Sequence, residues 1–347
     1  MSPVNPSAPF LAAARGESTS HTPVWFMRQA GRSLPEYKAL RGEGSILHAI
    51  KNPQVAAEIT IQPVRRYGVD AAVLFSDIVV PAHAIGFGID VSPGTGPVAT
   101  DPFRGASDLA RVRPFEPEAD APYVIDTVRI LANELRVPLL GFAGAPFTVA
   151  SYLIEGRPSR TYEHTKALMH ADEATWHELM SRLADHSIAS IRSQLNCGAA
   201  AFQLFDSWAG ALSRHDYERY AMPHSTRVFA ELAASHPGIA GIHFGIGCDH
   251  ILESMYAAGA TVIGLDWRTR IADARARLGQ DTIVQGNLDP ALVLAGWAVA
   301  KVGCDDVLAD NSGHLGHIFN LGHGVQPNTD PGVLENVVAY VHERTRA

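Results

Sequence analysis

Eight short apolar runs, each leading toward a segment with helical periodicity, constrain this chain more than any other feature of its sequence. The runs fall at 23–27, 71–75, 138–142, 201–205, 239–244, 261–265, 282–285 and 317–321, and most end in Gly, Asp, Asn or Pro. They are nearly continuous rather than alternating in polarity, as strands are when a parallel sheet is covered on both faces. Helices are predicted between or after them at 53–67, 123–135, 175–195, 215–235, 250–257, 271–278, 291–302 and 332–343. The first opens on Asn52 and Pro53, a cap followed by a residue whose φ is already helical. Eight such units with right-handed crossovers close into an α/β structure, a single (β/α)8 TIM barrel with its active site at the C-terminal ends of the strands. A doubly wound open sheet is the alternative that the same alternation allows.

The chain has 347 residues, enough for one barrel of about 250 residues with insertions. The Pro- and Gly-rich stretch 91–117 is expected to be an excursion from the second strand–helix loop, not a domain boundary. Residues 1–8, rich in Pro and Ser, are expected to be a flexible N-terminal end, with one barrel domain over 9–347. A net charge of -8 argues against nucleic acid or an anionic membrane as a partner. Cys197, Cys248 and Cys304 are far apart and form no CxxC pair, so neither a disulfide framework nor a zinc ribbon is expected. With no signal-peptide pattern and no membrane-length apolar segment, the expected setting is the cytoplasm.

In such a barrel the chemistry belongs to residues just past the strands. The first run leads into Met27-Arg28-Gln29-Ala30-Gly31-Arg32, where two guanidinium forks and the intervening backbone can converge on one anion. The second ends at Ser76-Asp77, placing a carboxylate at the mouth either as a functional group or as a helix cap. The third continues through small residues, GFAGAPFT, to Tyr152, and the fourth reaches Phe205-Asp206-Ser207-Trp208. After the eighth comes Asn320-Leu321-Gly322-His323-Gly324. A serine, a histidine and an aspartate raise the idea of a hydrolase triad, but Ser207 lacks the GxSxG elbow and the arginines would be idle.

The strings PVWFMRQAGRSLPEY, LFSDI, GFAGAPFTVASYLIEG, FDSWAG and NLGHGV occur in this order, and with them the chain resembles the uroporphyrinogen decarboxylase family from Pro9 to Val341. The resemblance implies a homodimer of single-domain barrels that converts uroporphyrinogen III to coproporphyrinogen III and four CO2, without a cofactor or metal. It also implies catalytic roles for Asp77, Arg28, Tyr152 and His323, and substrate contacts from Met27, Arg28, Gln29, Ala30, Gly31, Arg32, Asp77, Tyr152, Ser207 and His323. Uroporphyrinogen carries eight carboxylates around four pyrrole N–H groups, so Arg28 and Arg32 suit its rim and Asp77 its centre. Protonating a pyrrole ring carbon creates an iminium that accepts the electrons left by CO2, and a nearby carboxylate stabilises that cation.

Two other readings compete. Related barrel methyltransferases bind zinc through an HxC motif after the fifth strand, but here the segment is His243-Phe244-Gly245-Ile246-Gly247-Cys248, with glycine at the thiolate position. The other is a tetrapyrrole carrier, which would bind porphyrinogen without releasing CO2.

Overall fold

The computed structural model describes residues 7–42, 45–92, 94–311 and 313–347. After β1 (Ala72–Val73) the chain leaves the sheet for an antiparallel hairpin, β2 (Ile89–Ser92) and β3 (Gly96–Ala99). It returns for β4 (Leu139–Gly144), β5 (Ala201–Phe205), β6 (Ala240–Phe244), β7 (Val262–Gly264), β8 (Val284–Gln285) and β9 (His317–Ile318). These six pair in parallel with one another and with β1, in the order β1-β4-β5-β6-β7-β8-β9.

The predicted first strand departs from expectation. Residues 23–27 contribute only a parallel bridge, Val24 to Phe319, rather than a regular strand. The cause is a shortage of ladder donors: Pro23 has no N–H, Phe26 N donates to Gln29 Oε1 (2.9 Å) and Met27 N to Asn320 Oδ1 (3.1 Å). The segment nevertheless closes the ring. Phe319 N donates to Pro23 O (2.8 Å) on one side, and on the other Asp70 N donates to Val24 O (2.8 Å). The result is the expected TIM barrel. Its interior carries a polar tie: Trp25 Nε1 donates to Gln285 Oε1 and Gln285 Nε2 to Gln203 Oε1, both at 2.9 Å.

The helix Pro53–Tyr67 has the expected bounds, with Asn52 Oδ1 accepting from Val55 N at 3.2 Å and Gly68 ending it in the left-handed region at φ 68°. The helix expected at 291–302 is two, Pro290–Leu294 and Trp297–Asp310, because Gly296 between them takes φ 99°. The one expected at 215–235 contains a π-turn at Tyr217–Ala221 before Met222–Ser235. A helix that was not expected, Pro146–Glu155, follows β4 directly and carries Tyr152.

The excursion begins at Ile89, slightly earlier than expected, and is fastened to that helix: Ala99 N donates to Gly156 O and Phe103 N to Leu153 O, both 2.8 Å. Of the N-terminal stretch 1–8, residues 1–6 lie outside the described residues; the helix Pro9–Ala13 then buries Phe10 completely. Among the described residues no helix is long and apolar enough to cross a membrane.

Candidate active site

The loop after the first apolar run holds three residues in the left-handed region: Arg28 (φ 62°), Gly31 (φ 103°) and Arg32 (φ 57°). For an arginine that conformation costs about 1–2 kcal/mol, so the surroundings must impose it. They do so through Gln29, 1% exposed, whose Oε1 accepts from Phe26 N while its Nε2 donates to Ala71 O (2.9 Å). Asn320 Oδ1 accepts from both Met27 N (3.1 Å) and Leu321 N (2.8 Å), and Val325 N donates to Met27 O (2.9 Å). Glycine at 31 faces Tyr37 and Phe75, which an added Cβ would meet at 3.5–3.6 Å.

This anchoring sorts the residues singled out from sequence. Met27 and Gln29 are buried and engaged in closing the barrel; Ala30 is partly exposed and Gly31 is buried. Arg28 is exposed and Arg32 half-buried, and neither makes an ion pair among the described residues. Among the described residues, then, two guanidiniums on one short loop stand without a carboxylate partner on a protein of net charge -8. Arg28 lies across Gly324, where an added Cβ would come within 2.6 Å of its Cδ and 2.8 Å of its Cγ. Gly324→Ala is therefore expected to fold, since its φ is not in the left-handed region, but to displace Arg28 and lower kcat/KM by about tenfold or more. Steady-state kinetics beside a thermal melt check this; unchanged kinetics would mean the placement of Arg28 is unimportant.

Arg28 is the electrostatic centre of the cleft. Asp77, half-buried just past β1, has its carboxyl pushed above the usual range by burial, against the opposing pull of the Val79 N–H (3.0 Å to Oδ1) and the charge of Arg28. Tyr152 is pushed well above a normal phenol, first by burial and then by the Asp77 charge, so it stays a neutral donor. His323 is held down to about 4, by burial first and the Arg28 charge second. Its Nδ1 accepts from Gly324 N (2.6 Å), which leaves the proton on Nε2 and makes the neutral ring a donor there.

Ser207 is half-buried beyond β5, between fully buried Asp206 and half-buried Trp208. Thr148 ties this turn to the Tyr152 helix, donating to Asp206 Oδ1 (2.9 Å) and accepting from Trp208 N (3.2 Å). Trp208 then packs against Tyr152, with ring centroids 3.9 Å apart and planes tilted by 37°. Across the mouth, Trp267 lies 6.3 Å from His323, and Arg268 covers its ring at 3.8 Å while pairing with Asp266 at 2.8 Å. Trp208, Trp267 and Arg268 were not singled out from sequence, although they too follow strand runs; strand-end position was the signal that would have found them.

The zinc reading fails on the residues themselves. His243 is fully buried with Nδ1 bound to Met255 O (3.0 Å), and an added Cβ at Gly245 would meet Cys248 Sγ at 2.5 Å. These strand ends thus gather the cations of Arg28, Arg32 and Arg268, the neutral donors Tyr152 and His323, and the carboxylates of Asp77 and Asp266.

The family model described as "Uroporphyrinogen decarboxylase (URO-D)" matches residues 5–344. A uroporphyrinogen decarboxylase of Salinispora tropica is 55% identical over 339 residues, covering 97% of this chain and 91% of that protein. That of Saccharopolyspora erythraea is 54% identical, covering 96% and 94%; that of Mycobacterium tuberculosis is 51% identical, covering 97% and 98%. Among solved structures, a methyltransferase from Methanosarcina mazei superposes with a TM-score of 0.79 at 17% identity over 97% of this chain and 98% of its own. A B12-independent methionine synthase from Shewanella follows with a TM-score of 0.56 at 9% identity, over 88% and 90%. At such identities the likeness to both structures is one of fold alone.

Proposed function

The chain belongs to the uroporphyrinogen decarboxylase family, and from that premise we propose that it removes CO2 from the acetate side chains of uroporphyrinogen III to give coproporphyrinogen III in porphyrin biosynthesis. What supports the residue assignment is that Asp77, Tyr152 and His323 follow strands of one barrel, that Arg28 packs over Gly324 beside His323, and that the Arg28 charge acts on all three. Arg28 and Arg32 hold rim carboxylates, Tyr152, Ser207 and the Nε2–H of His323 donate to others, and Asp77 accepts pyrrole N–H bonds.

In each round a proton adds to a pyrrole ring carbon and leaves a ring iminium. The bond to the carboxylate breaks, CO2 departs and its electron pair flows into the ring. The exocyclic methylene then takes a proton to become methyl as the ring proton is lost, so one proton is consumed per CO2. Asp77 stabilises the transient cation, and burial, which disfavours its charge when the cleft is empty, makes that pairing stronger once the ring is positive. Arg28 is assigned charge stabilisation instead of proton donation, because a guanidinium is a poor acid. His323 and Tyr152 act as hydrogen-bond donors for the same reason: neither gives up its proton readily.

The reading includes one barrel domain over 9–347, assembly as a homodimer and a cytoplasmic setting, and it needs no cofactor. It is tested by following CO2 release from uroporphyrinogen under anaerobic conditions with and without chelator. Release should be unaffected by EDTA or phenanthroline, since electron withdrawal comes from the protonated ring; loss of turnover that zinc restores would contradict it. Tight porphyrinogen binding with no CO2 would favour a carrier.

A further inference from the structure

Residues 21, 70 and 342 are too far apart in sequence for any spacing motif to connect them, yet they meet at the end of the barrel opposite the cleft. His21 precedes the first apolar run, Asp70 precedes β1, and His342 sits near the end of the last helix, Pro331–Arg344. His21 Nε2 lies 2.9 Å from Asp70 Oδ1 and His342 Nε2 lies 2.7 Å from Asp70 Oδ2, with the two rings 4.1 Å apart. One ligand atom from each of the three falls within 4.8 Å of the others. The side chains are 22%, 11% and 23% exposed, so an ion can enter without unfolding.

Two imidazole nitrogens face the two oxygens of one carboxylate, a gap that either two N–H donors or one cation can bridge. We propose that His21, Asp70 and His342 form a binding site for a divalent transition metal of the zinc class, clasping the two ends of the chain to the barrel floor. Two imidazoles and a carboxylate are a ligand set such ions favour, with water completing the shell. Ligand bonds of about 2.0–2.1 Å put neighbouring donors roughly 3.3 Å apart, and the three ligand atoms here already lie within 4.8 Å of one another. The outer supports of a metal site are also present. His21 Nδ1 lies 3.0 Å from Ser20 Oγ, and Val24 N donates to Asp70 Oδ2 at 2.7 Å. The same corner already joins the chain ends, through Thr22 N to Thr345 Oγ1 (2.8 Å) and Ala347 N to Ser20 O (3.0 Å).

The test uses the full chain, stripped with chelator and titrated with Zn2+ by calorimetry, with Co2+ as a visible-spectrum probe. One saturable site is expected, with proton release that makes binding tighter as pH rises, a higher Tm and unchanged turnover. His21→Ala and His342→Gln should each weaken binding at least about tenfold while leaving CO2 release intact. Two variants on different elements guard against one failing to fold. No saturable binding by the parent, or equal affinity in both variants, would overturn the proposal, the latter by placing the metal on other histidines. Because these readouts are separate from CO2 release, the site can fail while the decarboxylase reading stands, and the reverse.

Discussion

Asp77→Asn is expected to fold as well as the parent, melt at the same temperature or higher, and lose about a hundredfold or more in turnover. The substitution keeps the side chain's size and an oxygen that can accept from Val79 N, now at 3.0 Å from Oδ1. What it removes is charge. The carboxyl of Asp77 titrates above the usual range because burial penalises its ionised form. With a folded pKa above the unfolded one, the ionised group at neutral pH weakens the fold slightly, and neutral Asn removes that penalty. A residue that only capped the next turn would tolerate Asn with little cost, whereas one that offsets a ring cation would not. Asp77→Glu should retain somewhat more activity than Asn and release partly decarboxylated products, because the longer arm shifts the macrocycle. Anaerobic rates and melts of both variants separate the two roles, and near-normal turnover in Asp77→Asn would end the catalytic assignment whatever its Tm.

Arg28→Ala is expected to lower kcat/KM by roughly ten- to a hundredfold, the equivalent of a charge-assisted partner worth about 1.5–3 kcal/mol. Arg32→Ala should do less, since Arg28 acts on Asp77, Tyr152 and His323 alike. Arg28→Lys should recover only part of the loss: an ammonium restores charge but not the planar fork. A second readout follows from the electrostatics. The Arg28 charge contributes to holding His323 at about 4, so in Arg28→Ala the imidazole pKa should move up toward its ordinary value, which NMR titration of the ring measures directly. Parent-like kinetics together with an unmoved His323 would show that Arg28 is not the centre of this cleft.

Much of the fold was legible because barrel strands and their helices have different periods. Apolar runs at seven of the eight expected places became β1 and β4 to β9. The eighth, 23–27, has the right composition and position but too few free backbone donors, a matter of what Gln29 and Asn320 do with their side chains, which apolar patterning does not encode. Pro146–Glu155 was missed for a different reason: GFAGAPFT reads as a turn if its small residues are weighed, and as a helix start only if Pro146 is taken as a first helical residue. The single helix expected at 291–302 failed at Gly296, whose positive φ is invisible to hydrophobic periodicity.

The site divides in the same way. Strand-end position alone pointed to Arg28, Asp77, Ser207 and His323, and the motif strings added Tyr152 by family likeness. It did not tell that Gln29 turns inward while Arg28 turns outward, because that alternation depends on left-handed backbone at Arg28. Nor did it reveal the Tyr152–Trp208 ring contact, which joins two helix–strand units through Thr148 and Asp206.

The central claim is that this cleft carries an electron-sink decarboxylation of a polycarboxylated tetrapyrrole. Its most direct test is anaerobic incubation of the purified protein with uroporphyrinogen III, followed by oxidation and chromatography of the porphyrins. A ladder of products running from eight carboxylates down to four, ending at coproporphyrin III, is the predicted result; recovery of the eight-carboxylate species alone, from a folded protein that binds it, would contradict the account.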